Sequence, residues 1–319
     1  FKLTTNMEGI VIKSTGNLHT ILDDKNNIYF CKLKGSEKLK KSPFTNPISV
    51  GDKVLFSPER DGNQGVIDKI QPRFNYVIRK SVNLSKKSQI LASNIDLCLL
   101  LVTIKNPVTT LLFIDRFLVT LDAYKIPTIL IFNKIDLYDK KLKLIESNYK
   151  NIYNNIGIKT ASVSILKNKN IDKVNSFLVN KTTLIAGHSG VGKTSLINLL
   201  NPSLDLKVKE ISEYHQQGVH TTTFSRMFKL KKQNSFIIDT PGIRGFGLVD
   251  ISKNMLSHYF PEMKKASSQC KFNNCIHINE PRCNVIIELK NGNIAQSRYE
   301  SYLNMLEDSQ NYRYNKYKN

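Results

Sequence analysis

GHSGVGKTSL, Gly187 to Leu196, is the stretch on which the fold turns. It runs Gly187, then His188, Ser189, Gly190 and Val191, then Gly192, Lys193 and Thr194, with Ser195 next. An apolar strand pattern, TLIA, leads in, and a helical run, SLINLL, leads out. Glycines in that setting let backbone N–H groups curl around a phosphate, and the helix N-terminus adds partial positive charge. Lys193 would reach the outer phosphates and the Thr194 hydroxyl would hold Mg²⁺. A glycine-rich turn before an ordinary helix is the plain alternative, and the flanking strand and helix argue against it.

Working outward, Asp239-Thr240-Pro241-Gly242 follows another apolar strand, FII. An Asp at that strand end can hold Mg²⁺ through water, and the Gly242 amide can sense a γ-phosphate. Upstream, FNKID at Phe132 to Asp136 holds Asn133-Lys134-Ile135-Asp136. The Asp136 carboxylate can accept two hydrogen bonds from guanine, at its ring N–H and its exocyclic amine. Adenine offers neither, so an adenine nucleotide would leave the carboxylate unpaired at a cost of about 1–3 kcal/mol. Asn133 can bond nearby backbone and base, while the stem of Lys134 packs over the ring. A lysine-rich turn after a strand could produce the same letters. SVS, Ser162 to Ser164, ends the next strand pattern and supplies a second base-contacting loop at Ser164, which favours the functional reading.

The order is therefore base box, second base loop, phosphate loop, then DTPG. A GTP-binding domain normally begins with the phosphate loop and reads the base later. This chain reads as such a domain with its usual ends joined and a new opening elsewhere, a circular permutation. Compact α/β domains tolerate that rearrangement because their termini lie close together at the surface.

The flanks differ in texture. From Gly9 to about Arg79, short pieces (GIVIKS, LHTILD, IYFCKL, DKVLF, GVIDKI) alternate with turn residues. That rhythm predicts a small closed β-barrel, of the oligonucleotide-binding type or another small barrel. Lys38 to Pro47 reads as an exposed basic loop. From about Asn94 apolar runs alternate with amphipathic segments, one carrying Ile114, Phe117, Leu118 and Leu121 on a single face. This predicts a parallel sheet covered on both sides. A Cys-rich loop and a polar helix, Ala295 to Tyr314, follow. The expected domains are 1–88, an OB-like β-barrel; 89–248, a permuted α/β P-loop domain; and 249–319, a zinc-binding helical module.

Cys270, Cys275, His277 and Cys283 offer three sulfurs and one imidazole, a tetrahedral set suited to structural Zn²⁺ with no position left open for catalysis. Cys31 and Cys98 fall in strand patterns and read as core residues. Five cysteines are too few for a disulfide scaffold, so we expect a cytoplasmic protein. LCLLLVTI, Leu97 to Ile104, is too short to span a membrane and fits a buried strand. Met7 reads as the natural start. With 47 Lys and Arg against 26 Asp and Glu, the net charge is +21, which points to a polyanionic partner, RNA before a membrane surface. A nucleotide-biased genome, raising Lys, Asn and Ile together, accounts for about half of that excess in our reading.

Between the phosphate loop and DTPG lies GVHTTT, Gly218 to Thr223, where a first switch belongs; Thr221 or Thr222 there can complete a Mg²⁺ shell. Ile243 follows Gly242, where many GTPases place a water-orienting Gln. An aliphatic chain cannot do that task. His220 is the candidate catalytic residue, and a role in contacting RNA or supporting the loop stays open for it.

Barrel, FNKID, SVS, GHSGVGKTSL, GVHTTT, DTPGI and the Cys/His cluster, in this order, resemble the small-ribosomal-subunit-dependent GTPases, the RsgA family. The resemblance covers nearly the whole chain. It implies GTP hydrolysis during late maturation of the small ribosomal subunit, with GTP/GDP and Mg²⁺ in the central domain and rRNA gripped by barrel and zinc module. We expect a monomer whose hydrolysis is slow alone and faster on that partner. Val219 stands where the family usually carries Arg, which leaves the role of that Arg unfilled here. A nucleotide-gated RNA-binding switch with little catalysis, and an ATP-dependent P-loop enzyme, are the alternatives.

Overall fold

The computed structural model describes residues 6–35, 44–59, 62–80, 88–204, 225–230, 234–240 and 251–314, with backbone alone at 79–80 and 308–314. Gly218 to Thr223, Gly242 and most of the Lys38 to Pro47 loop lie outside the described residues.

Alternating apolar residues build the first layer. Strands β1 (Met7–Thr15), β2 (Leu18–Asp23), β3 (Ile28–Leu33), β4 (Lys53–Pro58) and β5 (Gln64–Ile70) pair in the order β1-β2-β3-β5-β4, and β4 returns to β1. The ring is antiparallel except where β3 runs parallel to β5. Val11, Ile21, Cys31, Val54, Phe56 and Ile67 point inward, because every second strand residue faces the same side. Among the expected barrel readings, this ring is the OB-like one, and Cys31 is a core residue within it.

The sequence reading did not foresee the hairpin of β6 (Tyr76–Lys80) and β7 (Ser88–Ser93), which spans position 88. One buried carboxylate ties it to the barrel. Asp52 accepts from Arg73 Nε at 2.6 Å and Nη2 at 2.7 Å, from Ser93 Oγ at 2.6 Å and from the Ser49 amide at 2.8 Å.

Next come β8 (Leu97–Val102), α1 (Leu111–Ala123), β9 (Thr128–Phe132), α2 (Lys140–Asn155), β10 (Lys159–Ser162), α3 (Ile171–Leu178), β11 (Thr182–Ala186), α4 (Lys193–Leu200), β12 (Arg226–Lys229) and β13 (Phe236–Asp239). The sheet order is β10-β9-β8-β11-β13-β12, parallel except for β12. All six residues of β8 are buried. Period two explains how. Cys98, Leu100 and Val102 pack on the side of α1, with Ile114, Phe117, Leu118 and Leu121; Leu97, Leu99 and Leu101 pack on the side of α3 and α4. The sheet is thus covered on both faces, and Cys98 belongs to its core. Lys13 pairs with Arg226, so β12 meets β1 and the two sheets run together.

The C-terminal part consists of α5 (Lys253–Leu256), a short 3₁₀ turn, α6 (Pro261–Ser267), α7 (Asn284–Lys290) and α8 (Gln296–Tyr314). Its core of Leu256, Phe260, Met263, Val285, Tyr302 and Met305 also takes in Val119 of α1. α1 is therefore buried on two faces, one to the sheet and one to the tail. At that junction Arg298, 1% exposed, donates from Nη1 to Asp115 Oδ1 at 2.7 Å and from Nε to Glu262 Oε1 at 2.7 Å. Tyr153 Oη also donates to Asp115 Oδ1, at 2.8 Å, and the guanidinium lies 4.5 Å from the Phe260 ring centroid. Burial pushes the Asp115 carboxyl up, while Arg298, Ser301 and Tyr153 pull it back. Removing the cation strands two buried carboxylates. Arg298→Ala should cost about 3–5 kcal/mol, and Arg298→Lys should recover only part, since an ammonium lacks the fork that spans both acids. Urea unfolding followed in the tail tests both; an unchanged midpoint for Arg298→Ala would refute the assignment.

Candidate nucleotide site and metal centre

Parallel strands deliver their C-terminal ends to one edge, where α/β folds bind ligands. Here that edge collects Thr103 after β8, Asn133 after β9, Ser164 after β10, Gly187 after β11 and Asp239 ending β13. Ile185 is in register with Asp239, which fixes the phosphate loop beside the DTPG strand.

Asn133 is the hub. Its Nδ2 donates to the Val191 carbonyl at 2.8 Å, and its Oδ1 accepts from the Ile165 amide at 3.1 Å. One buried side chain thereby joins base box, second base loop and phosphate loop. Gly192 has φ +105°, and a Cβ there would lie 2.5 Å from Asn133 Nδ2. Only glycine fits that approach. Gly187, at φ +135°, likewise has the Leu101 carbonyl oxygen 2.5 Å from where a Cβ would sit.

Asp136 projects from the 3₁₀ turn Ile135–Leu137 and is exposed, as a base-reading carboxylate must be before a base arrives. Ser164 is buried and donates from Oγ to Asp136 Oδ1 at 2.5 Å. Lys134 takes a left-handed backbone, φ +66°, and its ammonium donates to the Asn106 carbonyl. Ile135 packs against the core on the α1 side of the sheet.

In the phosphate loop, Lys193 Nζ donates to the carbonyls of Gly187 and His188, each at 2.8 Å. Thr194 and Ser195 follow it in the first turn of α4, both partly exposed. Burial pushes the Asp239 carboxyl up, and Lys193 and Arg226 act against that rise. A partly desolvated carboxylate within electrostatic reach of Lys193, at the strand end beside the Gly187 loop, suits a hard divalent cation such as Mg²⁺. His188 bonds Thr109, Ser189 is exposed, Gly190 abuts Pro107, and Val191 is core. His220, Thr221, Thr222 and Gly242 lie outside the described residues.

A profile of the RsgA GTPase family matches residues 70–249, and one of the RsgA N-terminal domain matches residues 8–67. The chain belongs to the RsgA GTPase family. Two similar relatives carry the name "Small ribosomal subunit biogenesis GTPase RsgA". One, from Christiangramia forsetii, is 47% identical over 98% of this chain and 99% of its own length. The other, from Porphyromonas gingivalis, is 47% identical over 97% and 99%. The crystal structure of YjeQ from Thermotoga maritima superposes with a TM-score of 0.78 at 32% identity, covering 95% of this chain and 98% of that one. YloQ, described as a circularly permuted GTPase, superposes with a TM-score of 0.74 at 26% identity, covering 98% of each chain. This family member is thus a circularly permuted GTPase, with the base box ahead of the phosphate loop.

The cysteine cluster is a second centre. Cys270, Cys275, His277 and Cys283 bring their donor atoms within 4.8 Å of one another. Cys270 Sγ lies 3.7 Å from His277 Nδ1 and 4.0 Å from Cys283 Sγ, and Cys283 Sγ lies 3.4 Å from His277 Nδ1. A tetrahedron with Zn–S near 2.3 Å and Zn–N near 2.0–2.1 Å has edges of about 3.5–3.8 Å, so the donor set fits zinc. Burial pushes the Cys275 thiol up to about 12, raises Cys283 and lowers His277. A dication bound among them would keep such sulfurs as thiolates.

Four supports escaped the sequence reading. Glu280 accepts from the amides of Ile276 at 2.6 Å, Ile278 at 2.9 Å and Asn279 at 3.1 Å, folding the cysteine loop. Tyr299 and Tyr302 donate from Oη to the carbonyls of His277 and Ile276, each at 2.7 Å, anchoring that loop on α8. Tyr138 donates to the Asn133 carbonyl at 3.0 Å and accepts from the Ile104 amide at 3.2 Å. A Glu three residues past His277 was the one legible sign; the tyrosines carry none in sequence.

Proposed function

We propose that this protein is a ribosome-dependent GTPase acting in late maturation of the small ribosomal subunit, and that GTP hydrolysis triggers its release. The observation that carries this is the convergence of Asn133, Ser164, Gly192 and Asp239 at one sheet edge in permuted order, in a chain whose relatives are named for small-subunit biogenesis. Asp136 and Ser164 read guanine, and Lys134 covers its face. Backbone amides of the Gly187–Gly192 loop and Lys193 hold the phosphates. Thr194 and Asp239 hold Mg²⁺, with Thr221 or Thr222 added in the GTP state; bound there, the ion offsets the charge shared by the β- and γ-phosphates. Gly242 senses the γ-phosphate, and His220 orients or deprotonates the attacking water. Cys270, Cys275, His277 and Cys283 hold a structural zinc.

The barrel (1–88) and the zinc module (249–319) grip rRNA on either side of the GTPase domain (89–248), with Lys and Arg setting affinity. A net charge of +21 supports a polyanionic partner. Among the described residues no helix is long and apolar enough to cross a membrane. We place the protein in the cytoplasm as a monomer.

GTP turnover measured with purified small subunits, and with large subunits as control, tests this reading. We expect stimulation by the small subunit alone; equal rates with and without it would sink the proposal. His220→Ala should keep binding the subunit with a non-hydrolysable GTP analogue yet lose about 10²–10⁴-fold of stimulated hydrolysis. Retained hydrolysis would remove His220 from the chemistry.

A further inference from the structure

The loop between β8 and α1, residues 103–110, belongs to none of the sequence motifs, yet it touches both halves of the nucleotide site. Asn106 meets Lys134 of the base box, and Pro107 lies 3.4 Å from where a Cβ on Gly190 would sit. Its most specific contact is with His188. Thr109, buried to 2% exposure, places Oγ1 2.6 Å from His188 Nε2, and His188 Nδ1 lies 3.1 Å from the Ser189 carbonyl oxygen.

The proton positions follow from what each partner can do. A carbonyl only accepts, so Nδ1 carries the hydrogen. In the neutral ring Nε2 then accepts, and the Thr109 hydroxyl donates to it. Thr109 Oγ1 itself accepts from the Thr103 amide at 3.0 Å. The chain of donation runs from the Thr103 amide through the Thr109 hydroxyl and the His188 ring to the Ser189 carbonyl. The Phe113 ring stands edge-on to the imidazole, centroids 5.3 Å apart, and limits its rotation.

A trans peptide points its C=O and the following N–H in opposite directions. Anchoring the Ser189 carbonyl toward the imidazole therefore turns the Gly190 N–H away from it. The two preceding carbonyls, of Gly187 and His188, are taken by Lys193. We propose that His188 and Thr109 are positioning residues that set the Ser189–Gly190 peptide so that the Gly190 N–H is offered to the β-phosphate of a guanine nucleotide. The proposal rests on reading Gly187 to Thr194 as the phosphate cradle. It adds a device for pre-orienting one donor of that cradle, built from a loop with no motif of its own.

The experiment is a fluorescence titration of the full chain with GDP and with GMP, which has no β-phosphate. Thr109→Val and His188→Ala should each weaken GDP by about tenfold, the scale of one hydrogen bond to a charged group, and leave GMP unchanged. Thr109→Ser keeps the hydroxyl and should bind GDP as the parent does. Parent-like GDP affinity in the valine and alanine variants overturns the proposal. So does an equal loss of GDP and GMP, which would mark a loosened pocket, or a serine variant as weak as the valine one. A parent protein that binds neither nucleotide would instead sink the cradle reading itself.

Discussion

Asp136→Asn should exchange guanine for xanthine: GTP affinity falls by about 10–100-fold, and affinity for xanthosine triphosphate rises by a similar factor. Guanine presents two donors on one edge, and a carboxylate answers both. An amide keeps one acceptor and turns the other contact into a donor. That donor repels the guanine amine and suits the oxygen xanthine carries in its place. The surroundings favour a clean result. Asp136 is exposed on a short turn, and Ser164 Oγ donates to its Oδ1, a contact an asparagine Oδ1 can still accept. The fold should therefore survive the change. Titration with labelled GDP and XDP reads the exchange; equal GTP affinity in parent and variant would end the assignment of Asp136 to the base.

Cys283→Ala should reduce bound zinc from one per chain to none and unfold the tail while the nucleotide domain persists. Zinc in sites of this kind contributes about 10–16 kcal/mol of apparent binding free energy at neutral pH, most of which acts as folding energy. Cys275, His277 and Cys283 are buried beside Val285, Tyr299 and Tyr302, so losing the ion undoes packing as well as coordination. The tail's own core is small and offers little else to replace it. Metal analysis together with circular dichroism tests this, and GTP titration reports on the central domain. Stoichiometric zinc retained by the variant, or a tail unfolding midpoint equal to the parent's, would refute it.

Much of the architecture was legible because its residues repeat. The six-residue apolar run of β8, the alternation in β2 and β3, and the face of α1 carrying Ile114 to Leu121 announce buried strands and a sheet-facing helix by period alone. The nucleotide motifs were legible because phosphate and guanine chemistry permit few solutions. Apart from Glu280, the supports were not legible. Thr109 meets His188 across 79 positions and Tyr138 ties Ile104 to Asn133 through single hydrogen bonds, which leave no periodic trace. The hairpin β6–β7 was missed because the run after β5 lacks a two-residue turn signal. The second face of α1 was missed because Asp115 reads as a surface residue until Arg298 covers it.

That ion pair also has a bearing on synthesis. Asp115 and its partner are separated by 183 positions. At elongation rates of about 5–20 residues per second, the arginine follows the aspartate by roughly 10–40 s. Over that interval the sheet, the base box and the phosphate loop can all assemble, but the outer face of α1 still exposes Val119 and a carboxylate bound for burial. The flank of α1 that Arg298 covers thus stays open until the chain beyond the sheet has been made. Closure of that flank waits for α8, because the helix that carries Arg298 is made long after the sheet it covers.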